Sequence, residues 1–306
     1  MSLNAFKKKG RFYKGNIHTH SNLSDGRLFP DDVCRAYIDR GYDFISITDH
    51  FLGMFNYPLT KIKSNFKNFC TIIGAELHTS KMKNGELWHI LALGLKENFT
   101  PPNQPSFLIE DKSESAEKLV SRCLDAGAFV SLTHPEWNGL TLEDTTDIQN
   151  AHAIEIYNHS SAIECDRGYG LAIFEQMLNK GKPINIIATD DAHFQTSDAF
   201  GGWIMVKAEN NNAIDLLEAL KKGEYYSSQG PDIFDISINN NELSVSCSSV
   251  ECVIVSGYGS SSLYKKKPEI KNIVFQIGSL PKNKWIRVTI VDKSGKKAWS
   301  NPIFDY

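Results

Sequence analysis

Short apolar runs recur along the chain up to about residue 228, separated by stretches of helical periodicity or turn chemistry. Asn16–His20, Phe44–Thr48, Thr71–Ala75, Trp88–Leu93, Phe129–Leu132, Ala153–Tyr157, Pro183–Ala188 and Trp203–Val206 each read as a strand. Most are apolar throughout, the pattern of strands covered on both faces. Between them the spacing predicts helices. Pro30-Asp31-Asp32 opens one that Gly41 ends, because proline suits the first turn and acids there oppose the helix dipole. Others are expected over Ser113–Ala126, Arg167–Lys180 and Asn212–Lys221, with Ser113-Glu114-Ser115 as a capped start. Residues 96–112 carry Pro101, Pro102 and Pro105 and read as a loop.

The polar residues sit at one end of these strands. Asn16–His20 presents His18 and His20 on one side, two residues apart, and the Ser24-Asp25-Gly26 turn can fold Asp25 back toward them. Other strands run into Asp49-His50, Glu76, Thr133-His134-Pro135, Asn158-His159 and Asp190-Asp191-Ala192-His193, and Trp88–Leu93 carries His89. In a parallel α/β barrel the functional groups gather at the C-terminal strand ends, and this concentration is what that architecture produces. The fold class expected is therefore α/β, a TIM-like barrel over residues 1–229.

The texture changes at Gly230-Pro231. Phe234–Ile238, Glu242–Ser246, Cys252–Val255, Ile273–Ile277, Trp285–Val291 and Ala298–Ser300 read as short strands. Asn239-Asn240-Asn241 and Lys293-Ser294-Gly295 are turn signals between them. Residues 230–306 are expected to form a small antiparallel β-sandwich. It carries no histidine and is given no chemistry. Lys265-Lys266-Lys267, ahead of Pro268, reads as a solvated loop.

Composition bounds the function. The chain has 306 residues and a formal net charge of −3, which disfavours a nucleic-acid partner held by a basic surface. Its six cysteines show no CxxC spacing and read as reduced thiols, which places the protein in the cytoplasm. Met1–Tyr13 lacks the apolar run of a signal peptide. No apolar stretch approaches the roughly 20 residues needed to span a membrane.

His18, His20, Asp25, His50, Glu76, His89, His134, Asp191 and His193 form a set of imidazoles and carboxylates without a thiolate. Such a set suits a catalytic rather than a structural metal site, and Zn, Mn and Fe all remain open. There are too many donors for one ion, so two or three divalent ions are expected.

These motifs resemble the PHP (polymerase and histidinol phosphatase) family: His-Thr-His with Ser-Asp-Gly over 18–26, Ile-Thr-Asp-His over 47–50, Thr-His-Pro over 133–135, and the Asp-x-His of 191–193. The resemblance covers residues 14 to about 228. It implies a distorted (β/α)7 barrel with a trinuclear site. His18, His20, Glu76 and Asp191 would hold one ion, and Glu76, His89 and His134 a second, with Glu76 bridging. Asp25, His50 and His193 would hold a third. Many relatives have histidine where Asp25 stands, and the acid changes the charge at that ion. Gly230-Pro231 and Ala298-Trp299-Ser300-Asn301-Pro302 resemble the tail of a carbaryl-hydrolase-like branch.

The implied activity is a phosphoesterase hydrolysing a small phosphomonoester or nucleotide through a metal-bridging hydroxide. Hydrolysis of a carbamate, ester or amide, and a non-catalytic metal-stabilised scaffold, stand as alternatives. The partner expected is a small phosphorylated molecule. Asp25, Arg27 and His159 are the candidate catalytic residues. Arg27 could clamp a phosphate by its planar fork or lie on the surface. His159 could touch substrate or protonate a leaving group. Asp49 is expected to orient an imidazole, His78 and His152 to be structural, and Asp190 either to support its neighbour or to pack the strand end.

Overall fold

The computed structural model describes residues 4–110, 112–304 and 306. A short helix, α1 (Asn4–Lys7), leads into β1 (Arg11–Asn16), and then come α2 (Pro30–Ile38), β2 (Phe44–Ile45), β3 (Cys70–Thr71), β4 (Gly74–Lys81) and β5 (Leu87–Leu93). α3 (Ala116–Asp125), β6 (Phe129–Leu132), β7 (Ala153–Asn158), α4 (His159–Cys165), α5 (Leu171–Asn179), β8 (Asn185–Thr189), β9 (Trp203–Ala208), α6 (Ala213–Lys221) and β10 (Tyr225–Ser228) follow. The remainder is strand apart from a short 3-10 turn at Ile277–Ser279: β11 (Ile233–Asn239), β12 (Glu242–Gly257), β13 (Ser262–Gln276), β14 (Ile286–Val291) and β15 (Lys297–Ser300).

Local chemistry sets the helix starts. Pro30 occupies the first turn of α2, with Asp31 and Asp32 beside it. The Ser115 hydroxyl accepts from Lys118 N at the start of α3, and Asn212 accepts from Asp215 N at the start of α6. The helix expected over 167–180 starts later, at Leu171, and a separate helix, α4, precedes it, capped by Asn158.

Two sheets form the framework. β4-β5-β6-β7-β8 is one; the other runs β11-β12-β14-β15-β10-β9-β1-β2-β3, with β13 also paired to β12. The expectation of uniformly parallel, helix-linked strands needs correcting. β5 is antiparallel to both β4 and β6, and β9 is antiparallel to β1. The β4–β5 link is a tight turn in which Met82 N donates to Glu86 O at 2.7 Å. A parallel crossover needs a dozen residues or more, so this link can only make a hairpin. The protein is a mixed α/β fold dominated by sheet. Its two sheets touch through parallel bridges at Thr19–Ala192 and His50–Glu76, beside the expected polar strand ends. Tyr13, Ile17, Phe44, Leu91, Phe129 and Ile187 pack beneath them as one buried cluster drawn from both sheets.

The tail also differs from expectation. Its strands are antiparallel, but they extend the sheet of the first part, β15 pairing with β10, instead of building two sheets of their own. The two runs expected at 242–246 and 252–255 are one strand, β12, with register shifts around Val250. Lys265–Lys267 lies within β13, exposed, and not in a loop. Trp285 and Trp299 are buried in the same cluster as α3 and α5. Asn301 ties the tail in: its Oδ1 accepts from Ile186 N at 3.0 Å, and its Nδ2 donates to Gly223 O at 3.1 Å and Tyr225 O at 3.0 Å. All six cysteines are free. Among the described residues no helix is long and apolar enough to cross a membrane.

Candidate metal centre

The strand ends converge on Glu76. This side chain lies in β4, is 1% exposed, and meets five imidazoles. Its Oε1 is 2.9 Å from His89 Nδ1 and 3.1 Å from His134 Nε2. Its Oε2 is 2.8 Å from His50 Nδ1 and 3.6 Å from both His18 Nε2 and His20 Nε2. Asp191 Oδ1 lies 3.1 Å from His18 Nε2 and 2.9 Å from His20 Nε2. Asp25 completes the far side, 3.3 Å from His50 Nε2 and 3.5 Å from His193 Nε2. All nine residues expected as ligands are thus brought together.

Several elements hold these groups in place. The chain after β1 stays extended, so His18 and His20 project together, and Asp191 N donates to His18 O at 2.8 Å. Asp191 and His134 both have positive φ, 56° and 23°, a conformation uncommon for side-chain-bearing residues. His134 is held there by Glu155 Oε2, which accepts from its backbone N at 2.7 Å.

Glu155 is the residue that sequence reasoning missed. It is buried mid-strand in β7, and its Oε1 accepts from Thr189 Oγ1 and meets His18 Nδ1, each at 2.7 Å. Asn158 Nδ2 donates at 3.1 Å to Glu155 and also to Asp191 Oδ2. The only signal in the sequence is a lone acid in an apolar run. Asp49, expected to orient an imidazole, instead pins the 21–24 turn: it accepts from Ser21 N at 2.6 Å, Ser21 Oγ at 2.7 Å and Ser24 Oγ at 2.9 Å, with Thr60 as a further donor. That turn is what presents Asp25.

The other expected residues scatter. His78 is buried inside the cluster, its Nε2 2.9 Å from His50 Nδ1. His152 accepts from Val130 N at 3.1 Å, away from the cluster. Asp190 accepts from Tyr37 Oη and the backbone of Phe200, Gly201 and Gly202, each at 2.8 Å, and so shapes that loop. Arg27 is exposed and His159 bonds Tyr157 Oη at 2.8 Å; neither lines the cavity above the cluster. Both were candidate catalytic groups, and the turn at 26–27 and the start of α4 aim them elsewhere.

The charges sort as their neighbours dictate. Burial opposes protonation of His50, but Glu76 and Asp25 outweigh it and raise its pKa to about 10. Burial likewise opposes a charged His18, and Asp191, Glu155 and Glu76 raise it well above the ordinary value. His20 is buried beside His193 and His50 and falls to about 4. Burial and the nearby His89 and His50 hold His78 well below the ordinary range. Burial penalises ionised Glu76 and Asp191, yet the surrounding imidazoles keep both well below the usual carboxylate range.

The donor set fits divalent ions. His18 Nε2, His20 Nδ1 and Glu76 Oε2 are buried without a hydrogen-bond partner, which is costly unless something else satisfies them. Among the described residues, five sets have donor atoms all within 4.8 Å of one another. Three of these are His18, His20 and Glu76; Glu76, His89 and His134; and His20, Asp25, His50 and His193. Above them opens a cavity of about 400 Å³, in which Asp25, His50, Glu76, His89, His134, Asp191 and His193 are exposed to a ligand. No described residue of the tail lines it.

No protein-family model and no curated protein matches the sequence. Among solved structures, the fold is similar to a two-domain protein containing a predicted PHP-like metal-dependent phosphoesterase from Bacteroides vulgatus. The TM-score is 0.51 at 16% identity, over 95% of this chain and 93% of that one. An amidohydrolase from Chromobacterium violaceum gives 0.41 at 16% identity, over 60% and 89%. These likenesses give no support to a carbaryl-hydrolase-like branch. In fold, across nearly its whole length, the chain is similar to a two-domain protein of PHP-like type.

Proposed function

We propose that this protein is a metal-dependent phosphoesterase of PHP type that hydrolyses a small phosphomonoester. The observation that carries this is Glu76, whose two oxygens serve separate groups of buried imidazoles, with Oε2 unsatisfied. His18, His20, Glu76 and Asp191 would hold one ion, Glu76, His89 and His134 a second, and Asp25, His50 and His193 a third. When bound, such ions acidify water and draw charge from phosphoryl oxygens. The two sheets, joined at Thr19–Ala192 and His50–Glu76, are read as a distorted seven-stranded barrel whose rim carries the site.

The chain's own groups do the positioning. Glu155 accepts from His18 Nδ1–H, which orients that ring and would leave Nε2 free to hold an ion beside Glu76 and Asp191. Asn158 orients Asp191 by its amide. Asp49 holds the turn that sets Asp25 opposite His50 and His193. Turnover of 4-nitrophenyl phosphate should require added Zn, Mn or Fe and should be lost in Glu76→Gln. Metal-independent turnover, or turnover only of aryl carbamates, would overturn the proposal.

A further inference from the structure

Two aromatic rings stand directly on the imidazoles of this site. Trp137 meets His134 edge-on at a centroid distance of 4.9 Å and lies 5.5 Å from His89. Phe107 meets His50 edge-on at 5.0 Å and lies 5.5 Å from His78. They therefore flank Glu76 from its two sides: His89 and His134 lie against Oε1, and His50 against Oε2. Both rings line the cavity and are partly exposed, Phe107 at 39% and Trp137 at 42%, and Leu87 and Ile109 add to its apolar lining. A cavity walled by apolar and aromatic side chains around a few convergent polar groups has the form of a small-molecule site.

The charge of the wall points the same way. Beyond the histidine–carboxylate cluster, the ionisable residues lining the cavity are Glu86 and Glu164, and no described lysine or arginine lines it. A second phosphate or a carboxylate on the substrate would meet like charge there and no guanidinium or ammonium partner.

We propose that the site selects phosphomonoesters of uncharged aromatic alcohols, with the aromatic group held between Phe107 and Trp137. This rests on the phosphoesterase reading above and adds the class of leaving group. The two rings are specificity determinants. They present flat apolar faces to the leaving group, while the phosphoryl group lies below them on the cluster.

The test is calorimetric titration of the metal-loaded protein with phosphonates, which cannot be hydrolysed. 2-Naphthylphosphonate should bind about tenfold more tightly than methylphosphonate, the gain expected from aromatic contacts on both sides. 4-Carboxyphenylphosphonate should bind more weakly than phenylphosphonate. Trp137→Ala and Phe107→Ala should each weaken naphthylphosphonate binding several-fold more than methylphosphonate binding, and Trp137→Phe should keep most of the naphthyl advantage. Both rings are exposed, so neither truncation opens the core, and either variant alone decides the matter. Equal affinities for naphthyl and methyl ligands, an equal loss for both in the alanine variants, or tighter binding of a trimethylammonioethyl phosphonate would overturn the proposal. Aromatic-selective binding without turnover of any phosphomonoester would keep this subsite and sink the phosphoesterase reading. Turnover of all phosphomonoesters alike, without selective binding, would do the reverse.

Discussion

Glu155→Gln isolates the contribution of a residue that reaches the site only through its neighbours. Each carboxylate oxygen of Glu155 accepts two hydrogen bonds: His18 Nδ1 and Thr189 Oγ1 reach Oε1, and His134 N and Asn158 Nδ2 reach Oε2. Glutamine keeps the shape and turns one oxygen into an NH2. With the NH2 toward His134 N and Asn158 Nδ2, two fixed donors face a donor; with it toward His18 and Thr189, the hydroxyl can turn to accept and His18 must change tautomer to do so. Hydrogen bonds to a charged acceptor contribute about 1.5–3 kcal/mol each, so the first placement costs roughly 3 kcal/mol before relaxation and the second less. Part of that loss falls on folding and part on the site, because His18 is freed to adopt the other tautomer. Removing a carboxylate that supports a ligating histidine typically weakens metal affinity by about 10–100-fold. Competition for zinc against a chromophoric chelator, at fixed pH and alongside a denaturant titration, separates the two effects. An affinity equal to that of the parent protein would refute the role given to Glu155.

Glu76→Gln should lose more metal, by elemental analysis, than any single histidine-to-alanine change at the site, because both its oxygens serve separate imidazole groups; equal losses would count against bridging. Asn301→Ala removes three buried hydrogen bonds that tie the tail to β8 and β10, and should lower unfolding stability by about 2–4 kcal/mol without altering metal content. Arg27→Ala, at an exposed position off the cavity, should leave stability within about 0.5 kcal/mol and the KM for 4-nitrophenyl phosphate unchanged; a several-fold rise in KM would restore the phosphate-clamp reading.

Several of the residues that the fold brings together stood out because an apolar run stops and a histidine or acid begins, as at His50, His134 and Asp191; Glu76 and His89 lie inside β4 and β5, and Asp25 in a turn. The partners behind them were not legible. Glu155 lies mid-strand, where its neighbours read simply as buried β structure, and Asp49 adjoins His50 in sequence yet turns to the 21–24 loop. Strand direction was hidden too, because β5 has the composition of a parallel strand while the short turn before it forces a hairpin. Of the tail's strands, β11, β14 and β15 were readable, while β12 was read as two runs and most of β13 was missed. Their fusion with the first sheet depends on long-range pairing of β15 with β10, which periodicity does not carry. Phe107 and Ile109 sit in a proline-rich stretch that reads only as a loop, so the cavity's apolar wall emerged only from the fold.

The central claim is that the buried histidines and acids assemble around divalent ions. Elemental analysis of the purified protein, before and after incubation with Zn, Mn or Fe and removal of excess, tests it most directly. The account predicts two or three ions per chain, falling sharply in Glu76→Gln. A protein that stays folded and binds no ion under any of these conditions would contradict it.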